Sequence, residues 1–218
     1  MRTTTSLVFV VLALSACDTG PADSSSLREQ VGVAIDDAGL SLTDAIAIAA
    51  ADQPQATVVR AHLEIEHAVP VYDVELYADG VEYDLDVATD DGTIVDRKQD
   101  ALDAKDAAQL RAAADLVSAS AGWSDLIAAA ESESGGSVFE VEADGDDGVL
   151  DFEALSDAGI YELEMRPDGT VTKSELSDDA AWEAEHEAEH AEDEAEDETE
   201  DETEHAEDET EHETEDHG

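Results

Sequence analysis

Two stretches of this 218-residue chain repeat one another. Ser41–Arg97 and Gly122–Lys173 share a pattern of apolar, acidic and turn residues. Leu42-Thr43-Asp44-Ala45-Ile46 aligns with Trp123-Ser124-Asp125-Leu126-Ile127, and Val71-Tyr72-Asp73-Val74-Glu75 with Val149-Leu150-Asp151-Phe152-Glu153. Tyr83, Leu85 and Val87 align with Tyr161, Leu163 and Met165, and Asp91-Gly92-Thr93 with Asp168-Gly169-Thr170. The offset stays between 77 and 81 residues, so short gaps suffice. Two copies are too few for a solenoid, and the pattern predicts a duplicated small domain.

Each copy opens with a helical signal. Ser41 is an N-cap candidate, and Asp44, three residues on, makes an acidic variant of the capping box. Leu42, Ala45, Ile46, Ala49 and Ala50 form an apolar stripe at helical spacing, and Pro54 ends it. In the second copy Trp123, Leu126, Ile127 and Ala130 share a face, and Gly135-Gly136 stops the helix. Strands follow. Ala61, Leu63 and Ile65 alternate with His62, Glu64 and Glu66, the period of a half-buried strand. Tyr72, Val74 and Leu76 alternate with Asp73 and Glu75; Tyr83, Leu85 and Val87 alternate with Glu82, Asp84 and Asp86. The second copy repeats this with Phe139 and Val141, then Leu150 and Phe152, then Tyr161, Leu163 and Met165, then Val171. Gly-containing turns separate the runs. The expected fold is α+β: two tandem small domains, each a helix on one face of an antiparallel three- to four-stranded meander, with the other face solvated and acidic. A helix around 104–117 joins the copies, and a shorter one at 27–38 precedes the first.

Charge decides which partners are excluded. The chain carries 60 acidic residues against 9 basic ones, a formal net charge of −51. Phosphate contacts need Lys and Arg, so direct nucleic-acid binding is excluded. Docking on an anionic lipid surface by charge alone is disfavoured for the same reason. The apolar fraction is 42%, but 37 of those residues are Ala, so any core is small. A single cysteine leaves no intramolecular disulfide and no Cys-based zinc site. There is no Ser/His/Asp or Cys/His set, phosphate loop or nucleotide motif, and the chain is expected not to be an enzyme.

The first residues read as an address. Leu7–Leu14 is an eight-residue apolar run, too short to span a bilayer and suited to a signal-peptide core. Leu14-Ser15-Ala16-Cys17 resembles the bacterial lipobox. The resemblance implies cleavage before Cys17 and lipidation of Cys17, with enough acyl chain for stable anchoring. Residues 1–16 are then a lipoprotein signal peptide, and residues 17–26 a Gly, Pro and Ser-rich tether. The expected location is the cell envelope, lipid-anchored and extracytoplasmic, on the periplasmic face or the cell surface.

The first copy also resembles a known family. Ser41–Ala50 (SLTDAIAIAA), then Pro70-Val71-Tyr72-Asp73-Val74-Glu75-Leu76, then an Asp-Gly turn before Thr93-Ile94-Val95, is similar to the PepSY domain. The second copy lacks the Pro, and Leu150 stands where Tyr72 does. The resemblance implies an α+β fold outside the cytoplasm and a role in restraining peptidases, with no defined catalytic residues. Tyr72 matches the family's Tyr position and is expected in the core with its hydroxyl hydrogen-bonded. PepSY-like domain 1 is placed at residues 27–100, and the linking helix with PepSY-like domain 2 at residues 101–176.

Candidate chemistry concentrates in the tail, residues 177–218, expected to be disordered, acidic and His-containing. Residues 183–218 hold 21 acids, five His and no Lys or Arg. His186-Glu187-Ala188-Glu189-His190 matches the zincin pattern H-E-x-x-H, but no apolar stripe would bury that helix. His186, His190, His205, His212 and His217 remain metal-ligand candidates. Imidazole favours Zn, Ni or Cu, and carboxylate favours Ca. The alternative is a solvated low-complexity extension, which like charges at i,i+4 keep from folding.

The body's strand acids complete the expectations. Glu64, Glu66, Asp73, Glu75, Asp84 and Asp86 in the first copy are expected outward, as are Glu140, Glu142, Asp151, Glu153, Glu162 and Glu164 in the second. They serve solubility or steer a basic partner. His62 and His67 are expected to be exposed. Two functions follow from different features. One is a non-catalytic envelope lipoprotein whose domains bind and restrain an extracytoplasmic peptidase, such as a metallopeptidase, or another envelope protein. The other is a surface protein that binds cations through its tail.

Overall fold

The computed structural model describes residues 26–66, 69–145, 147–178 and 182. Cys17, His67, His186, His190, His205, His212 and His217 lie outside them. Among the described residues, four helices and eight strands form two similar halves: α1 (Leu27–Asp37), α2 (Leu42–Asp52), β1 (Thr57–Glu66), β2 (Val69–Ala78), β3 (Val81–Ala88) and β4 (Ile94–Ala101), then α3 (Asp106–Ser118), α4 (Trp123–Ser134), β5 (Ser137–Asp144), β6 (Val149–Ser156), β7 (Gly159–Met165) and β8 (Val171–Leu176). The fold is α+β, and each half carries a four-stranded antiparallel meander.

The local signals act as physical chemistry requires. Ser41 caps α2 by accepting from the Asp44 N–H, and the Asp44 carboxylate accepts from the Ser41 N–H at 3.1 Å, which completes a capping box. Gly135 ends α4 in the left-handed region, at φ 69°, where a Cβ is strained. Leu42, Ala45, Ile46 and Ala49 of α2 are buried on the sheet, as are Trp123, Leu126, Ile127 and Ala130 of α4. Beneath them lie Ala61, Leu63, Val74, Leu76, Leu85, Val141, Leu150, Phe152, Leu163 and Met165, all at most 1–2% exposed. The Trp123 and Phe152 rings meet edge to face at 6.1 Å, and Trp123 Nε1 donates to the Val58 carbonyl at 3.0 Å. That bond ties α4 to the first half of the sheet.

The two meanders share one sheet. Strand order is β4-β3-β2-β1-β5-β6-β7-β8, joined at the middle by β1 against β5. The seam is narrow, with Arg60 opposite Glu142, Ala61 opposite Val141 and His62 opposite Glu140. The halves also share their irregularities. An extra residue, Val59 or Phe139, interrupts the pairing of the first strand in each half, and the last pair slips at Asp86/Val87 or Glu164/Met165. A bulge re-aims the strand after it. Here the first bulges set Arg60 opposite Glu75 and Glu140 opposite Glu153.

The acidic face of the sheet is not simply solvated, contrary to the sequence pattern. Helix α3 packs against β1, β2 and β5, with Ala113 and Ala114 buried. Helix α1 packs against β1, and its Gly32 lies close over Leu155. Trp182, inside the span assigned to the tail, is 2% exposed. Its ring meets Phe139 edge to face at 6.2 Å, and its Nε1 donates to Glu153 Oε2 at 2.9 Å. The folded part therefore extends past Leu176. Among the described residues no helix is long and apolar enough to cross a membrane.

Candidate functional site

The second face holds a belt of charged groups where the halves join. Arg60 sits at its centre, 6% exposed. Its guanidinium reaches Glu75 Oε1 at 3.4 Å and Glu140 Oε1 at 3.3 Å. Glu75 belongs to β2 and Glu140 to β5, so one side chain bridges both halves. Burial works against the charge on Arg60, but Glu140, Glu75, Glu142 and Asp73 outweigh it and raise its pKa. A buried Arg held this way is a fixed positive charge.

Beside Arg60 on the same face lie His62 and Glu64 of β1 and Asp73 of β2. Strand periodicity puts residues 60, 62 and 64 on one side, and the register sets His62 directly opposite Asp73. A histidine nitrogen and one carboxylate oxygen each from Glu64 and Asp73 all lie within 4.8 Å of one another. His62 is 1% exposed and Glu64 5%. Asp73 is half-buried as a residue, but its Oδ1 is sealed from solvent and accepts no hydrogen bond. Burial raises the Asp73 carboxyl well above the usual carboxylate range, and Glu75, Asp84, Asp86 and Glu64 raise it further.

These positions revise the expectations for individual residues. His62 is buried, not exposed. Glu64 and Glu140 are buried, and Asp73, Glu75, Asp84, Asp86, Glu142, Asp151, Glu153, Glu162 and Glu164 are half-buried and not fully outward. Charge is a poor mark of solvent on this face, because helices α1 and α3 pack over it. Glu66 lies at the end of β1, and its side chain is outside what is described. Tyr72 is 4% exposed, and its hydroxyl donates to the Leu40 carbonyl at 3.0 Å, the core role expected for it. Burial, helped by Asp44, pushes its pKa up to about 12. Arg60 was not singled out from the sequence. The available signal was a single arginine, with no lysine, in the run Thr57–Glu66.

The same crowding extends outward along the face. Burial raises Asp151 to about 7, with Glu142, Glu164 and Asp144 adding to it and Lys173 opposing. Burial raises Glu82 to about 7, with Glu75, Asp84, Asp100 and Asp106 adding. Asp84 rises to about 6 by burial and by Glu75, Asp100 and Asp86, against Lys98. In the unfolded chain these groups titrate near 4. The folded state therefore binds more protons between pH 4 and about 7, and linkage makes stability fall as pH rises through that window. A melting temperature higher at pH 5 than at pH 8 by several degrees, on the order of 5 °C, is expected in thermal scans. An equal or lower value at pH 5 would refute it.

A second feature is an open cleft of about 270 Å³ between α3 and the start of β1, lined by Gln55, Thr57, Tyr77, Arg111, Asp115 and Ser118 among others. It is polar and carries a single basic side chain.

No curated protein matches the chain. The crystal structure of a candidate lipoprotein from Clostridium difficile 630 is similar at 26% identity over 69% of this chain and 97% of that one, with a TM-score of 0.45. Residues 39–98, the span from the loop before α2 into β4, match the PepSY family, described as the peptidase propeptide and YPEB domain.

Proposed function

We propose that the folded body is a non-catalytic binding module that restrains an extracytoplasmic peptidase or another envelope protein, held at the membrane by a lipid on Cys17. The observation that carries this is the match of residues 39–98 to a family described as a peptidase propeptide. Fold-level likeness alone does not assign function, so the proposal stands on that segment and on the lipobox-like Leu14–Cys17. The acid-rich surface suits a basic partner, because a field of one sign steers an opposite one. A second, narrower reading keeps the tail histidines 186, 190, 205, 212 and 217 as weak ligands for Zn, Ni, Cu or Ca.

Full-length protein and its Cys17→Ser variant decide between outcomes in one experiment. Membrane fractionation should leave the parent in the membrane and the variant in the soluble fraction. The soluble variant, added to the secreted metallopeptidases of its own cell, should lower their activity in a saturable way and co-purify with its target in both directions. Unchanged peptidase activity together with no reciprocal partner would remove the proposal.

A further inference from the structure

We propose that His62, Glu64 and Asp73 form an intramolecular site for one divalent cation of the zinc class, on the face of β1 and β2 beside Arg60.

Three independent features converge there. The donor set is one imidazole and two carboxylates, which suits zinc and its neighbours better than calcium or magnesium, whose ligands are all oxygen. The donors come from rigid neighbours: His62 and Glu64 are two apart on one strand, and Asp73 is the register partner of His62 on the next. Their ligand atoms stand within 4.8 Å of one another. Tetrahedral ligands at about 2.0–2.2 Å from the ion lie about 3.4 Å apart, so rotation of the two carboxylates closes the gap. Lastly, Asp73 Oδ1 is closed to solvent and accepts no hydrogen bond. A carboxylate oxygen in that position costs free energy unless something positive reaches it.

The charges around Asp73 point the same way. Asp86 stands directly opposite it on β3, and Glu75, Asp84 and Glu64 add further negative charge nearby. Arg60 lies close but is engaged by Glu75 and Glu140. A metal ion there would satisfy Asp73, with Glu64 and His62 as its other ligands. Three protein ligands leave a fourth position open on the ion. With the site on β1 and β2, the ion would clamp the strand that carries the central seam. This site is separate from the tail histidines, and each can be tested without the other.

The test uses the full chain with the five tail histidines changed to Gln (His186→Gln, His190→Gln, His205→Gln, His212→Gln and His217→Gln). Co²⁺ and Zn²⁺ are titrated separately at micromolar concentration, with dialysis stoichiometry, the visible Co²⁺ spectrum and the melting temperature as readouts. The expected result is one ion per chain and a raised melting temperature. Asp73→Asn should weaken binding about 10- to 100-fold or more, since it removes an anionic ligand but keeps the shape. Asparagine also mimics the protonated carboxyl, so this variant should fold. Glu162→Gln, farther along the sheet, should bind as the parent does. Absence of micromolar binding in the tail-substituted chain would overturn the site. So would Asp73→Asn binding at parental affinity, or Ca²⁺ displacing Zn²⁺ at equal concentration.

Discussion

Arg60→Met is expected to lower the folding free energy at pH 8 by about 3–5 kcal/mol, the range for removing one partner of a buried ion pair. The methionine fills much of the arginine stem's volume, so the loss reports charge more than packing. Arg60 neutralises Glu75 and Glu140 directly and stands near Glu142 and Asp73. Without it these carboxylates, on β2 and β5, face each other across β1. They can escape only by taking up protons. The loss should therefore shrink to less than half at pH 5, measured by urea unfolding with tryptophan fluorescence. An equally large loss at both pH values would mean that Arg60 acts through packing alone. Arg60→Lys should fall between the two, because an ammonium keeps the charge but cannot hold two carboxylates in a fork.

The second large effect lies close by, where Trp182 meets Phe139 of β5 and Glu153 of β6. Trp182→Ala should cost about 3–5 kcal/mol, as for other buried aromatic truncations. For a body of about 150 residues that corresponds to a fall in melting temperature on the order of 10 °C. Trp182 loses its edge-to-face contact with Phe139 and its donation to Glu153, which is left half-buried with one donor fewer. Truncation separates this from any tail effect. A chain ending after Asp178 should melt like Trp182→Ala, and a chain ending after Glu183 should melt like the parent. If both truncations melted like the parent, Trp182 would carry no stability.

Much of this architecture was legible because it is local. Alternation in Tyr72, Val74, Leu76 and in Leu150, Phe152 fixed the strands, and Ser41 with Asp44 fixed a helix start. The Asp-Gly turns fixed the meanders. The pairing of β1 with β5 was not legible, because it joins residues about 80 apart and leaves no local mark. That missing fact hid the site. His62, Glu64 and Asp73 read as the wet side of a strand until α1 and α3 are known to cover the seam. Trp182 was hidden for a related reason. It stands among Ala and Glu at the head of a low-complexity run, where composition speaks for solvent and only the partner ring of Phe139 speaks against it.

The common sheet has a consequence for how copies of this protein coexist. Two separate meanders would expose four open strands, whereas the joined one exposes β4 and β8 only. A strip with two open ends can in principle polymerise by adding strands end to end. Three of the nine basic residues, Arg97, Lys98 and Lys173, stand on those two terminal strands. Arg97 is held by Asp52 at 2.9 Å, and Lys173 lies within 4 Å of Glu162, Glu164 and Glu175. In a chain so short of cations, spending a third of them at the ends of the strip marks where a filament would have to start.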